Sequence, residues 1–218
     1  MRRTDFLILI ACGILVVLGF IVVTSWLNQA VGFQAVEEFP QLAQAVPEQD
    51  NEDVMALPVL TFGKSIVRFE TKAGYSIYGQ LAAKKRYHKG LMSNVSPYDY
   101  ALIWGDLPKM QDKIKFRQVV RYCLFNYEYG SGVDPAYVQL HMSNNHLIPA
   151  TKNLRRALAK ARKGDLIKIE GYLVDVVAYQ DGRNISHWRT STEREDIGEG
   201  ACEIIYVTSL RINDTIYQ

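Results

Sequence analysis

Hydrophobic residues follow two different patterns along this chain. Residues 6–23 form one unbroken apolar run, FLILIACGILVVLGFIVV. From residue 59 onward, short runs rich in Val, Ile, Tyr and Phe alternate with Gly, Asn, Asp and Pro, which is typical of β-strands joined by turns. Asp181-Gly182 predicts one such turn. Strands are predicted at residues 64–70, 74–82, 98–104, 116–128, 136–142, 165–178 and 202–212.

One helix is predicted among these strands. Thr151 is a good N-cap residue, and the stretch KNLRRALAKARK that follows it is dense in strong helix formers. Leu154, Leu158 and Ala161 share one face of this helix at helical spacing. Gly164 then suits the left-handed residue that commonly ends a helix.

The order of these elements predicts a mostly β (α+β) fold. Several strands, one helix and further strands in sequence resemble an OB-like, partly open barrel, in which the helix lies between the third and fourth of five strands. This assignment makes residues 136–142 the third strand. An SH3-like barrel and a small α+β sandwich stay open as alternatives.

The apolar run has the length of a transmembrane helix. Eighteen residues at ~1.5 Å per residue span ~27 Å, close to the ~30 Å hydrocarbon thickness of a bilayer. Arg2 and Arg3 precede the run and the next basic residue is Lys64, so the N-terminus is expected in the cytoplasm. We therefore predict an N-terminal transmembrane anchor at residues 1–27 and an exported remainder.

A cleaved signal peptide is the alternative to this anchor. Ala30-Val31-Gly32 is an acceptable cleavage site, but the apolar run exceeds the ~7–15 residues of a signal core. The folded part is exported in either case.

Charge is segregated downstream of the anchor. Residues 28–58 contain six acidic residues and no Lys or Arg, and Pro40, Pro47 and Pro58 interrupt them, which predicts a solvated stalk. Residues 59–218 carry 23 basic and 16 acidic residues and are predicted as one exported β-rich domain. This balance favours anionic partners.

Cysteine usage leaves one possible disulfide. Cys12 lies in the apolar run, so Cys123 and Cys202 form the candidate pair, closing a loop of about 80 residues. Two separate buried thiols are an equally weighted alternative. The chain has no zinc-type Cys spacing, and no cofactor is predicted.

Two histidines mark the densest polar stretch, HMSNNH. His141 and His146 face one site if the chain turns at Asn144-Asn145, and imidazole is a common ligand of zinc, copper and iron. Glu203 is a candidate third partner. The favoured alternative is a turn held by histidine hydrogen bonds to the backbone.

A second polar stretch lies at residues 188–203. Arg189, Ser191 and Arg194, together with Asn145, are candidates for binding an anion. Salt bridges to Glu193, Glu195, Asp196 and Glu199 of the same stretch are the favoured alternative.

The predicted helix carries basic residues with no acidic residue before Asp165. A solvated face is the favoured interpretation, an anionic polymer or membrane surface comes second, and nucleic acid is the least expected partner of an exported domain. The candidate contacts to an anionic surface are Lys152, Arg155, Arg156 and Arg162.

The strings HMSNNHLIPA, GDLIKIEGYLV, TSTERED and GEGACEIIYV resemble uncharacterised bacterial single-pass membrane-anchored proteins over roughly residues 100–210. This resemblance implies a bacterial inner-membrane protein whose C-terminal domain faces the periplasm, and it implies no activity, cofactor or functional residue.

We expect a binding or assembly module of the cell envelope, because a tether raises the effective concentration of a domain for partners at one surface. The expected partner is an envelope protein complex or an anionic polymer. The alternative is a hydrolase, nuclease-like, that acts on an anionic substrate with a metal or by acid/base catalysis. Its candidate residues are His141, His146, Glu203, Arg189 and Arg194.

Overall fold

The computed structural model describes residues 14–21, 24, 28–193 and 201–218. Residues 14–21 are helical. Among the residues described, no helix combines the length and apolar character needed to cross a bilayer. Most of the predicted anchor at residues 1–27 lies outside the described residues, so the anchor stays a prediction.

The described chain is dominated by β-strands, as predicted. Short α-helices lie at Leu91–Val95, Pro135–Leu140 and Lys152–Lys160, and 3-10 turns lie at Leu42–Gln44 and Leu107–Met110. The strands are β1 (Phe33–Gln34), β2 (Glu48–Asp50), β3 (Leu60–Phe62), β4 (Ser65–Arg86), β5 (Tyr98–Ile103), β6 (Ile114–Val119), β7 (Tyr122–Tyr127), β8 (Met142–Pro149), β9 (Leu166–Gln180), β10 (Arg183–Trp188), β11 (Glu203–Ile212) and β12 (Thr215–Tyr217).

Five of the strands curl into a barrel. Their order is β4-β5-β8-β11-β9, and β9 pairs again with β4. All of these neighbours are antiparallel except β8 and β11, which are parallel. The mostly β, barrel-like fold expected from the element order is therefore confirmed.

The closure between β9 and β11 depends on a glycine. A Cβ atom at Gly171 would lie 2.0 Å from the carbonyl oxygen of Tyr206. Only a residue without a side chain permits the two backbones to approach so closely.

The interior of the barrel is covered at one end by the helix Lys152–Lys160, which we call the basic helix. Its apolar side chains Leu154, Ala157 and Leu158 are fully buried. The hydroxyl of Thr151 accepts a hydrogen bond from Leu154 N at 3.1 Å, so the predicted N-cap is confirmed.

The basic helix ends at Lys160, earlier than the position of Gly164 predicts. Lys84 of β4 donates hydrogen bonds to the carbonyl oxygens of Ala159 and Ala161, each at 2.8 Å. These contacts satisfy carbonyl groups at the C-terminal end of the helix from outside the helix itself.

The assignment of the third barrel strand is wrong by about six residues. The predicted strand at 136–142 is instead the helix Pro135–Leu140, capped by Asp134, whose carboxylate accepts a hydrogen bond from Ala136 N at 2.9 Å. The third barrel strand is β8, which runs through the predicted turn at Asn144-Asn145. Pairing with β5 on one side and β11 on the other outweighs the local turn preference of asparagine.

The predicted strand at 116–128 is a hairpin, β6–β7, that forms a separate two-stranded sheet. Val120 and Arg121 make its two-residue turn with φ angles of 44° and 70°. Positive φ at both positions matches the twist of the flanking strands.

The acidic segment 28–58 packs on the barrel, in contrast to the solvated stalk expected from its composition. β1 pairs with β12, and β2 pairs with β4. Phe39 stacks on Tyr78 with ring centroids 4.5 Å apart, and Ala45 is buried. Ala30, Phe39, Leu42 and Ala45 of this segment therefore belong to the core of the folded unit.

Candidate functional site

A cluster of ionisable side chains, most of them buried, lies on the outer face of β5 and β8. Asp99 is completely buried and His146 is 2% exposed, and Asp99 Oδ1 lies 2.9 Å from His146 Nδ1. Nη1 of Arg121 donates a hydrogen bond to the same carboxylate oxygen at 2.7 Å. We call Asp99, Arg121, His146 and Trp188 the Asp99 cluster.

Arg121 lies in the turn of the β6–β7 hairpin, which places it beside Asp99. Its guanidinium donates to the carbonyl oxygen of Ser96 at 2.9 Å and lies 3.8 Å from the ring centroid of Tyr87. Its backbone N–H donates to the Tyr87 hydroxyl at 3.0 Å. Arg121 therefore joins the hairpin to the loop between β4 and β5.

Trp188 closes the Asp99 cluster from the end of β10. Its ring centroid lies 4.4 Å from that of His146 and 5.3 Å from the Arg121 guanidinium. The imidazole is thus held between an aromatic ring and a carboxylate, with little access to water.

Hydrogen bonding inside the Asp99 cluster is incomplete among the described residues. The distance between His146 Nδ1 and Asp99 Oδ1 is short enough for an ion pair, but neither His146 Nδ1 nor Asp99 Oδ2 makes a hydrogen bond with good geometry. Removal of the Arg121 charge would leave the carboxylate poorly compensated.

The inner face of β8 carries a second polar group. Ser143 Oγ donates to Glu203 Oε2 at 2.5 Å, and the Tyr75 hydroxyl donates to Glu203 Oε1 at 3.3 Å. Asn145 is fully buried and donates to the carbonyl oxygen of Tyr100 at 3.2 Å. Glu203 also lines a pocket of about 210 Å³ with Ser191.

The structure does not bring His141, His146 and Glu203 together. Successive residues of a strand point to opposite faces, so the Ser143–Glu203 contact and the His146–Asp99 contact lie on opposite sides of β8. His141 stacks on Tyr137 with centroids 3.9 Å apart, and its Nδ1 lies 2.9 Å from the Tyr137 carbonyl oxygen. Within the described ranges, no three potential ligands among His, Cys, Asp and Glu converge on one point.

The predicted anion-binding residues are also dispersed. Arg189 is exposed, and Ser191 is 6% exposed with its hydroxyl bonded to the backbone N–H and carbonyl of Glu193. Asn145 lies inside the barrel, and Arg194 lies outside the described residues. A shared anion pocket is therefore not formed by the three described members.

The basic helix presents its cations beside further basic residues. Lys152 and Arg155 are exposed, Arg156 is half-buried, and Arg162 is exposed just beyond the end of the helix. Burial lowers the pKa of Arg155, and the neighbouring charge of Arg86 lowers it further. In the part of the chain that the structure describes, neither these four side chains nor Arg86 forms an ion pair with a carboxylate.

The basic helix contacts the residues that follow the apolar run. Asn153 pairs with the backbone of Val31 through two hydrogen bonds of 2.8 and 2.7 Å. Arg156 reaches the side-chain oxygen of Asn28 at 3.4 Å, and Lys160 reaches the carbonyl oxygen of Ala30 at 3.2 Å. The composition of the helix predicts its charge, but nothing in the sequence places it against residues 28–31.

Cys123 and Cys202 are both thiols in this structure. Burial raises the pKa of the Cys123 thiol to about 12, and the charge interaction with Cys202 acts in the same direction. The disulfide between them stays a prediction.

Sequence reasoning missed Asp99, Arg121 and Trp188. A signal for Asp99 exists, because an acidic residue interrupts the apolar strand YDYALI. A charged residue in a buried strand requires a partner, but the partner lies 22 residues away and cannot be read from the sequence.

Comparison with known protein families, curated proteins and solved structures finds no match to this chain. Its function is therefore inferred from its own residues.

Proposed function

We propose that this chain is a membrane-tethered binding or assembly module of the bacterial cell envelope, with an OB-like barrel on the periplasmic side. The contact between the basic helix and residues 28–31 carries the proposal. It brings a row of cations next to the point at which the predicted anchor ends.

Strand order supports the OB-like assignment. The barrel strands, numbered one to five along the chain as β4, β5, β8, β9 and β11, are arranged 1-2-3-5-4-1. The third and fifth strands are parallel, and the basic helix connects the third strand to the fourth. Five-stranded Greek-key barrels with these features occur in many unrelated proteins, which bind different ligands. The fold alone therefore does not identify the ligand.

The proposed partner is the anionic headgroup surface of the membrane that the anchor enters. With residues 1–27 in the bilayer, Asn28 and Ala30 lie at its surface, and Arg156 and Lys160 contact them directly. A basic side chain near an anionic lipid surface contributes about 1 kcal/mol. Several such side chains on one helix hold the barrel flat against the membrane, where it meets other envelope components.

The outer face of β5 and β8 is not the surface on which the proposed binding depends. That face is the usual ligand surface of an OB-like barrel, and here the Asp99 cluster fills it with the chain's own side chains. No described observation favours the hydrolase alternative, since His141 and His146 lie apart.

Photo-crosslinking of the full chain in intact bacteria tests the proposal. A photoreactive amino acid at Lys152 samples the basic helix, and the same group at Asn184 of β10 is the matched exposed control. We expect acidic phospholipid attached at position 152 and none at position 184. Equal labelling at both positions, or only soluble cytosolic proteins at position 152, would overturn the membrane-surface assignment.

The compartment is tested separately. A C-terminal fusion to a reporter that is active only in a reducing cytosol is expected to be inactive. Activity of that reporter would reject the periplasmic assignment while leaving the barrel unaffected.

A further inference from the structure

Cys123 and Cys202 lie in parts of the fold that the Asn144 side chain connects, since its amide nitrogen donates to the carbonyl oxygen of Arg121 at 2.8 Å and to Cys202 Sγ at 3.4 Å. Cys123 is in β7 of the hairpin, and Cys202 immediately precedes β11 of the barrel. They are separated by about 80 residues of sequence, so only the tertiary structure brings these two parts of the chain together.

A chain of side-chain contacts connects the two thiols. Gln118 and Cys123 are directly opposite in the β6–β7 register, which places their side chains on the same face about 5 Å apart at Cβ. Gln118 Nε2 donates to Asn144 Oδ1 at 2.7 Å, and Asn144 Nδ2 donates to Cys202 Sγ at 3.4 Å. The Asn144 side chain therefore lies between Cys202 and Gln118, and Gln118 is the cross-strand neighbour of Cys123.

Electrostatics and packing agree with this proximity. Burial is the main cause of the raised pKa of Cys123, and the charge interaction with Cys202 acts in the same direction. Cys123 also packs against the apolar group under the hairpin that includes Phe116 and Val138. Both cysteines are only partly exposed, which protects them from competing large thiols.

From this geometry we infer that Cys123 and Cys202 form a disulfide site, closed by a small disulfide-bearing oxidant, that fastens the β6–β7 hairpin to the barrel. The hairpin is otherwise a separate sheet held by side-chain contacts, and its turn carries Arg121 into the Asp99 cluster. The bond would fix Arg121 in place.

The chemistry is a pair of thiol–disulfide exchanges. The Cys202 thiolate attacks a sulfur atom of the donor disulfide, forms a mixed disulfide and displaces one donor thiolate. The Cys123 sulfur then attacks the Cys202 sulfur of the mixed disulfide and displaces the second donor thiolate. The two protons lost by the cysteines pass to the two donor thiolates, so the protein is oxidised by two electrons and the donor is reduced by two.

Oxidation of the purified full chain with oxidised glutathione tests the inference. Cys12→Ser serves as the background, and remaining thiols are blocked with N-ethylmaleimide after unfolding. Trypsin cleaves on both sides of residues 122–152 and 195–211, so each cysteine falls in its own peptide. We expect these two peptides linked, with a loss of two hydrogen atoms, and separated after reduction.

Two variants make the result decisive. Cys123→Ser and Cys202→Ser each leave one thiol, which should then carry glutathione or N-ethylmaleimide. Separate glutathione adducts on both cysteines of the parent, or links only between two copies of the chain, would overturn the inference. The readout uses no membrane or partner, so it is independent of the proposed function.

Discussion

Asn153 binds both backbone groups of Val31. Its side-chain oxygen accepts from Val31 N at 2.8 Å, and its side-chain nitrogen donates to Val31 O at 2.7 Å. The same nitrogen donates to the carbonyl oxygen of Gln218 at 2.8 Å, so one side chain joins the start of the folded segment, the basic helix and the C-terminus.

Replacement of Asn153 by Ala should weaken the attachment of residues 28–34 to the rest of the folded domain. The loss of a double hydrogen bond to the backbone is expected to cost about 1–2 kcal/mol of unfolding free energy. Urea denaturation of the detergent-solubilised full chain measures the cost, and faster proteolysis within residues 28–34 locates it. Lys163→Ala, at an exposed position just beyond the same helix, is the control. Unchanged proteolysis in the Asn153 variant would show that Val31 is held by other contacts.

Replacement of Arg121 by Met should be severely destabilising. It leaves the fully buried carboxylate of Asp99 without its closest cation, and such losses cost about 3–5 kcal/mol. Arg117→Met, at an exposed position of the same hairpin, is expected to cost less than 1 kcal/mol. Asp99→Asn combined with Arg121→Met should recover part of the loss. Additive effects of the two substitutions would contradict direct coupling.

Replacement of Gly171 by Ala tests the closure of the barrel. The added methyl group meets the Tyr206 carbonyl at 2.0 Å, so β9 and β11 must separate. We expect a cost of about 3 kcal/mol or more, at the upper end of overpacking effects. Gly132→Ala has open space and a φ angle of 77°, so it should cost only about 1 kcal/mol of backbone strain. If the two variants lost the same free energy of unfolding, measured by heat or urea, the close backbone approach of β9 and β11 would be contradicted.

Stability should fall at high pH through Cys123. The pKa of this thiol is raised from 9.0 to about 12 by burial, so the folded state keeps a proton that the unfolded state loses between those values. The stabilisation is complete below pH 9 and is lost as the pH rises through 12, by on the order of 4 kcal/mol at most.

The measurement compares the parent and Cys123→Ala by urea denaturation at pH 8.5 and 10.5 under reducing conditions. Other groups with raised pKa values, including Tyr87, affect both proteins equally. The difference in unfolding free energy between parent and variant should therefore shrink at the higher pH. A difference that stays constant would show that Cys123 titrates normally.

Several features follow from the sequence by itself, because their causes are local. The Thr151 N-cap with its run of helix formers, the turn at Asp181-Gly182 and most of the strands depend on residues that are near one another in the chain. The apolar run and the excess of basic residues in the basic helix are likewise properties of adjacent residues. The order of these elements was sufficient to predict a mostly β barrel.

Only the tertiary structure decided the remaining features, because their causes lie far apart in the chain. Asn144-Asn145 favours a turn locally, but hydrogen bonding to strands on both sides makes it the middle of β8. The acidic segment 28–58 has the composition of a solvated linker, but it packs on the barrel through β1, β2, Phe39 and Ala45. Asp99 meets Arg121 and His146 only when the hairpin folds over β5 and β8, since pairing of buried charges depends on three-dimensional proximity and not on sequence pattern.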